Sequence, residues 1–541
     1  MLNPDTSSAK VAPASGPDNT PNVHPLVRTA LRLSLSAKEY RALYNLVGTR
    51  AAGVQSRLVS PSRYDAIVHS KNRRNEAAVR TSLRVFIGTG TALKLLEVIV
   101  GRIRGETPQK KVRGPLLQSP KFRLSLSLSL LLLLHRLLYR FLTRIRLNLC
   151  TDEAEPFRRR NPRIASALTS RFAPAVGASV AGFALGICPQ DQLRLTTAIY
   201  TGTRSLEFLY NVIDAKGWLE GRPRWCGSWL LMPISCAQLF HAFVFDRENT
   251  PKWLGNLILK LSPSYIPGRP EGLPSDVFWP EKEQIVDSLA SIADLRWPAY
   301  VCPTLHPGDS NTLPSSVKAI SPITGPAHPA IAHLSCALLH PSVPSCSTAF
   351  VHHVLLSVPY LARFLTAISL ALSIPKLKSI VAEPITSINS LCKRIITLTV
   401  VLSAAVGSAW GSVCLFNNSL PRSTLPVKRF FLSGAIAGLP FALLSNSRSV
   451  FMYFFRAAVD SAWKTGVKRG LWKGGRAVEL WLFVLSWALM GSILETHPAA
   501  VQGRGLRKAL AWLRGDGFID LEEAEKRKAR RAVKSTQPKD A

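Results

Sequence analysis

GFALGICPQDQLRLTTAIYTGTRSLEFLYN, residues Gly182 to Asn211, decides how the rest of the chain is read. Gly182 and Gly186 stand one helical turn apart in an apolar run. A polar turn follows at Pro189 to Gln192, and a second apolar helix carries Arg204 and Glu207. The same order returns from Phe430 as FFLSGAIAGLPFALLSNSRSVFMYFFRAAVDSAW. Aligned, Gly182 meets Gly434, Gly186 meets Gly438 and Arg204 meets Arg456, with Asp460 one turn beyond. Glycines at this spacing let helix backbones approach closely, so packing is their expected role. Charges inside apolar helices need a partner or a polar cavity. The repeat reads as an internal duplication in a membrane protein, a feature common in transport folds.

Composition supports that reading. The chain has 541 residues and a net charge of +35, with 19% of its residues charged. Its mean hydropathy is nevertheless +0.13, so apolar and charged stretches must be segregated. The basic residues mostly flank apolar segments, as they do beside an anionic membrane surface. No compact basic module with interleaved aromatics occurs, and nucleic acid is not an expected partner. The nine cysteines are scattered without a CxxC pair, which favours reduced or buried thiols over a disulfide framework. The start, MLNPDTSSAKVAPASGPDNTPN, lacks the apolar core of a secretory signal.

The expected fold is all-α: a polytopic membrane bundle of two related halves joined by a proline-rich connector. Residues 1–22 are expected to be disordered, and 23–150 to form amphipathic and membrane-associated helices. Within the latter, the Leu/Ser alternation of RLSLSLSLLLLLHRLLYRFL imitates a strand, but its length favours a helix. Residues 151–248 form the first half and 327–500 the second, each with a glycine-pair hairpin. In the connector, 249–326, recurrent prolines exclude a continuous helix and leave one short helix from Glu281 to Leu295. Its tryptophans and tyrosines suggest packing on a membrane face. Residues 501–541 read as a basic cytosolic tail.

Few constellations carry chemistry. Arg204 and Glu207 share a helix face, as do Arg456 and Asp460, and they read either as contacts to a substrate or headgroup or as structural ion pairs. His241 and Asp246 have an acyltransferase-like spacing, but no serine or cysteine nucleophile is marked. Cys336, His340 and Cys346, with His328 and His333 nearby, are good zinc-ligand types. Their spacing is not that of a zinc finger, and Pro341 and Pro344 bend the segment. A packed turn at the membrane surface is therefore expected, with no metal or cofactor assigned. Walker, HExxH and GxSxG motifs are missing, so no enzyme activity is expected.

Several segments resemble the fungal branch of the transmembrane protein 135 family, also called the 52 kDa peroxisomal membrane protein family. They are RNPRIASALTSRFAP, AGFALG, AIYTGTRSLEFLYN, RPRWCGSWLLMPISCAQLFHAFVFDR and HPAIAHLSCALLHPSVPSC, within Arg160 to Arg476. The turn from Cys336 to Cys346 is similar to that family's cysteine-containing segment. The glycine-pair hairpins are similar to the Tim17-type translocase superfamily. The resemblance implies a multi-pass protein of the peroxisomal membrane, or alternatively the mitochondrial one, concerned with lipid handling and organelle dynamics. Expected partners are the bilayer, organelle-dynamics proteins and a second copy of the chain. The rival expectations are a protein- or metabolite-conducting channel and a membrane tether for fission factors.

Overall fold

The computed structural model describes residues 23–50, 58–70, 73–103, 119–189, 192–223, 225–274, 276, 278–303, 305, 313–444, 447–473 and 477–536. The expected disordered segment 1–22 and residues 190–191 of the first polar turn lie outside them. The structure is 77% helical and, among the described residues, has no strand. The principal helices are α1 (Pro120–Leu149), α2 (Gln192–Ala215), α3 (Leu231–Phe245), α4 (Cys346–Ser373), α5 (Pro384–Ser419), α6 (Arg429–Ala437), α7 (Arg448–Lys468), α8 (Val478–Thr496) and α9 (Arg504–Arg514).

Among the described residues, five helices are long and apolar enough to cross a membrane: α1, α3 with its preceding turn (Ser228–Phe245), α4, α5 and α8. A span needs about 20 mostly apolar residues. The pair Pro162–Thr169 and Ala173–Ile187 is bent by 87° and adds a sixth only if the two pieces act as one. The helix Arg73–Ile103 carries Arg84, Lys94, Glu97 and Arg102 and is not among the five. Its Glu97 pairs with Lys121. α4 exposes Leu355, Leu356, Phe364 and Leu372, the surface of a helix that faces hydrocarbon.

The chain divides into two compact units that do not coincide with its sequence halves. The first comprises Met1–Arg194, Ser205–Val212 and Glu479–Ala541. Here the Leu/Ser run is helical, and its serines hand their hydroxyls to backbone. Ser127 donates to the Ala184 carbonyl at 2.9 Å and Ser129 to that of Ser82 at 2.8 Å. Gly182 and Gly186 lie on a 3-10 segment, Val180–Ile187, against α8. A Cβ on Gly182 would meet Phe483 and Val484 at 3.0 Å, and one on Gly186 would meet Leu480 at 3.2 Å.

The segment from Arg504 is docked rather than a free tail. Leu510 and Ala511 are buried in α9. Arg136 of α1 donates to the carbonyls of Trp512 and Leu513 at 2.5 and 3.2 Å and sits 5.0 Å above the Trp512 ring. Arg507 holds the carboxylate of Asp520 through hydrogen bonds of 2.8 and 3.0 Å. Glu522 pairs with both Lys526 and Arg507.

The second unit comprises Leu195–Arg204 and Ile213–Val478. α3 packs against α6 and α7, and α4 against α5. The proline-rich connector supplies much of the core. Tyr265, Ile285, Leu289, Ile292, Trp297 and Ile320 are buried with Phe243, Trp410 and Phe430. Its prolines break the chain into short pieces. Between them the helix Lys282–Asp294 starts at a capping box made by Glu281 and Gln284 and buries one face. Trp297 follows Arg296, both at φ 57°. That region costs a non-glycine residue about 1–3 kcal/mol and persists where packing over-determines it.

Both glycine pairs sit in the same local order of α-helix, 3-10 segment and, further along the chain, long helix. Their surroundings differ. A Cβ on Gly434 would lie 2.4 Å from the Cys236 carbonyl oxygen, and one on Gly438 would lie 2.3 Å from the Pro233 nitrogen. These are backbone atoms, which cannot rotate away.

Gly438→Val should therefore abolish a monodisperse folded species in size-exclusion chromatography. Gly186→Ala, against one flexible leucine, should cost about 1–3 kcal/mol at most. Equal tolerance at the two positions would contradict the contact. Acid should release the C-terminal segment. The Arg507 hydrogen bonds hold the Asp520 carboxyl below its usual value, so its stabilisation is complete above about pH 3.9. It is lost as pH falls through the depressed folded-state value. Hydrogen exchange across α9 should rise over that interval, and Asp520→Asn should raise it already at neutral pH.

Candidate functional site

Just beyond the connector, a turn gathers the marked cysteines and histidine. The short helix Leu334–Leu339 carries Cys336 and stops at His340. Pro341 and Pro344 then fold the chain back. The His328 amide donates to the Pro341 carbonyl at 2.8 Å, and the Val343 amide to that of His340 at 3.2 Å. Ser345 caps α4, which begins at Cys346. The fold adds a fourth group that the sequence reading did not include, Cys414 from the later part of α5.

Cys336, His340 and Cys414 are buried and Cys346 is half-buried. Cys336 Sγ lies 3.9 Å from Cys346 Sγ, and Cys414 Sγ lies 3.6 Å from His340 Nε2. The His340 Nδ1 faces the Val343 carbonyl at 2.7 Å. Burial alone would lower the His340 pKa, but hydrogen bonds with Cys336 and Cys346 outweigh it and raise the value to about 10. A metal ion bound by these four groups would have to displace their protons. His328 and His333 are not part of it. A cavity of ≈ 680 Å³ opens on Cys336, Cys346 and Cys414.

A polar strut stands beside the cluster. Asn417, one turn beyond Cys414, donates to Ser335 Oγ at 2.5 Å. Arg429, fully buried, donates to Asn417 Oδ1 at 2.7 Å and to the carbonyls of Leu420, Pro421 and Thr424. It thereby closes the C-terminal end of α5, where carbonyls lack helical partners and a cation is favoured. Its guanidinium lies 5.3 Å from the Trp297 ring centroid. The sequence reading passed over Arg429 because it looked like one more flanking cation.

The marked intramembrane charges take unequal roles. Arg456 Nε donates to Thr203 Oγ1 at 2.8 Å, and its guanidinium lies 4.6 Å from the Tyr200 ring centroid. Asp460 bonds Lys464 at 2.6 Å, one turn along its own helix. Glu207 is buried and Arg204 half-buried on α2. A pair the sequence reading overlooked is more deeply buried: Arg194 meets Glu479 at 2.8 Å with side chains 6% and 11% exposed. The signal was a carboxylate in the first turn of the apolar α8, at the helix end that favours negative charge; its other carboxylate, Glu495, lies in the last turn. Asp246 does not serve His241. Its carboxylate is held by Arg469 at 2.7 Å and Lys468 at 3.2 Å.

No family model, curated protein or solved structure matches the chain.

The Arg194–Glu479 pair is expected to be structural. Arg194→Met alone should cost about 3–5 kcal/mol, since it strands a buried carboxylate. Arg194→Met combined with Glu479→Leu should recover most of that loss in thermal unfolding of the detergent-solubilised protein. A double variant as unstable as the single one would rule out this assignment.

Proposed function

We propose that the chain is a multi-pass organelle membrane protein that handles lipid without covalent chemistry, in the peroxisomal membrane with the mitochondrial one as the alternative. The observation that carries the lipid part is a cleft between α3, α5, α6 and α7. Its cavity of ≈ 110 Å³ is lined by Met232, Leu239, Leu261, Ala405, Phe441, Phe454 and further apolar side chains. Dry apolar cavities of about 150 Å³ take up small hydrocarbons. A site with no polar anchor suits the end of an acyl chain, while the headgroup stays outside. The one polar edge nearby, Trp410 Nε1, is already spent on Ser262 Oγ at 2.8 Å.

The five candidate spans and the lipid-facing side of α4 support the membrane reading. The repeated order around the two glycine pairs supports an ancestral duplication, although the two copies now pack differently. The organelle rests on the family resemblance alone.

The protein should stay in the pellet after carbonate extraction and co-localise with a peroxisomal marker. A photoactivatable fatty acid should label α3 and α5 in membranes, and Ala405→Trp, which fills the cleft, should reduce labelling at least several-fold. Unchanged labelling would remove the cleft as the lipid site. Solute flux or current from reconstituted liposomes would instead favour the Tim17-like channel.

A further inference from the structure

The cysteine–histidine cluster carries an inference independent of lipid handling. We propose that Cys336, His340, Cys346 and Cys414 bind one zinc ion in a closed tetrahedral site. The four donor atoms lie within 4.8 Å of one another. With Zn–S near 2.3 Å and Zn–N near 2.0–2.1 Å, a tetrahedron places two sulfurs about 3.8 Å apart and a nitrogen about 3.5 Å from a sulfur. The structure has 3.9 Å between Cys336 and Cys346 and 3.6 Å between Cys414 and His340 Nε2. A disulfide would need about 2.05 Å.

The surroundings complete the arrangement. The His340 Nδ1–H donates to the Val343 carbonyl, which leaves the Nε2 lone pair directed at the sulfurs. A hydrogen bond of that kind from the far ring nitrogen is what metal-bound histidines almost always make. The cavity along Cys336, Cys346 and Cys414 is an entry path. Three thiolates and a divalent ion leave one net negative charge. The buried Arg429 cation stands two hydrogen bonds away, through Asn417 and Ser335. Thiolate and imidazole in tetrahedral array select zinc over magnesium and calcium. Four protein ligands leave no open position, so the ion is structural. It ties the helix Leu334–Leu339 and the turn after it to the start of α4 and to α5, whereas the Asn417 strut links only that short helix to α5.

The full chain, purified in detergent without chelator or added metal, should contain one zinc per chain by elemental mass spectrometry. Cobalt exchange should give the d–d bands of a tetrahedral thiolate site. Cys346→Ser and Cys414→Ser should lose the metal. Cys392→Ser, at an exposed thiol on α5, should keep it. His340→Cys should retain zinc where His340→Ala does not. The wild-type protein supplies a second measurement that does not depend on the folding of a ligand variant. A membrane-impermeant chelator should lower its Tm, and zinc, not magnesium, should restore it. Folded wild-type protein with neither stoichiometric zinc nor a cobalt spectrum would overturn the site. So would iron in place of zinc, or a Cys336–Cys346 disulfide in protein alkylated at lysis.

Discussion

Two glycines let one helix lie directly on the backbone of another, and the second unit is built around that contact. Gly434 of α6 and Gly438 just past its end face the Cys236 carbonyl and Pro233 of α3 at distances no side chain could occupy. In a lipid environment apolar helices gain little from hiding apolar surface from one another, so close van der Waals contact must hold them. Everything else in the unit follows the placement of α6. Phe430 enters the core beside Phe240 and Trp297, and Arg429 is carried under the end of α5.

The same contact explains why so many polar groups are tolerated inside. Arg429 is fully buried with no carboxylate partner among the described residues, yet four acceptors and an aromatic face surround it. A buried charge with that many charge-assisted hydrogen bonds remains ionised and locks the geometry of its acceptors. The Arg456 contact with Thr203 and Tyr200 follows the same logic on a smaller scale.

Local pattern was enough to read the spans and the helix inside the connector. The segregation of apolar and charged stretches pointed to membrane-spanning helices, and the gap between prolines left room for a helix from Glu281 to Leu295, which the structure places at Lys282–Asp294. The Leu/Ser run was settled by its length, since a strand that long would be exceptional. What escaped depended on long-range closure. The connector looked peripheral because prolines dominate it, whereas Ile285, Leu289, Ile292 and Trp297 place it in the core. Cys414 sits in an uncharged span where a cysteine passes for a small apolar residue, so it was not grouped with Cys336, His340 and Cys346. Arg194 and Glu479 are separated by most of the chain and share no local motif.

The meeting of Cys346 and Cys414 also has a topological consequence. One residue opens α4 and the other lies near the end of α5, yet their side chains belong to one cluster. For two helices that cross a bilayer, this brings their outer ends to a single leaflet and sends the link between them, residues 374–383, to the opposite one. The stretch leading into α4 and the stretch leading out of α5 must then share a compartment. Whatever redox conditions prevail there would govern all three thiols together.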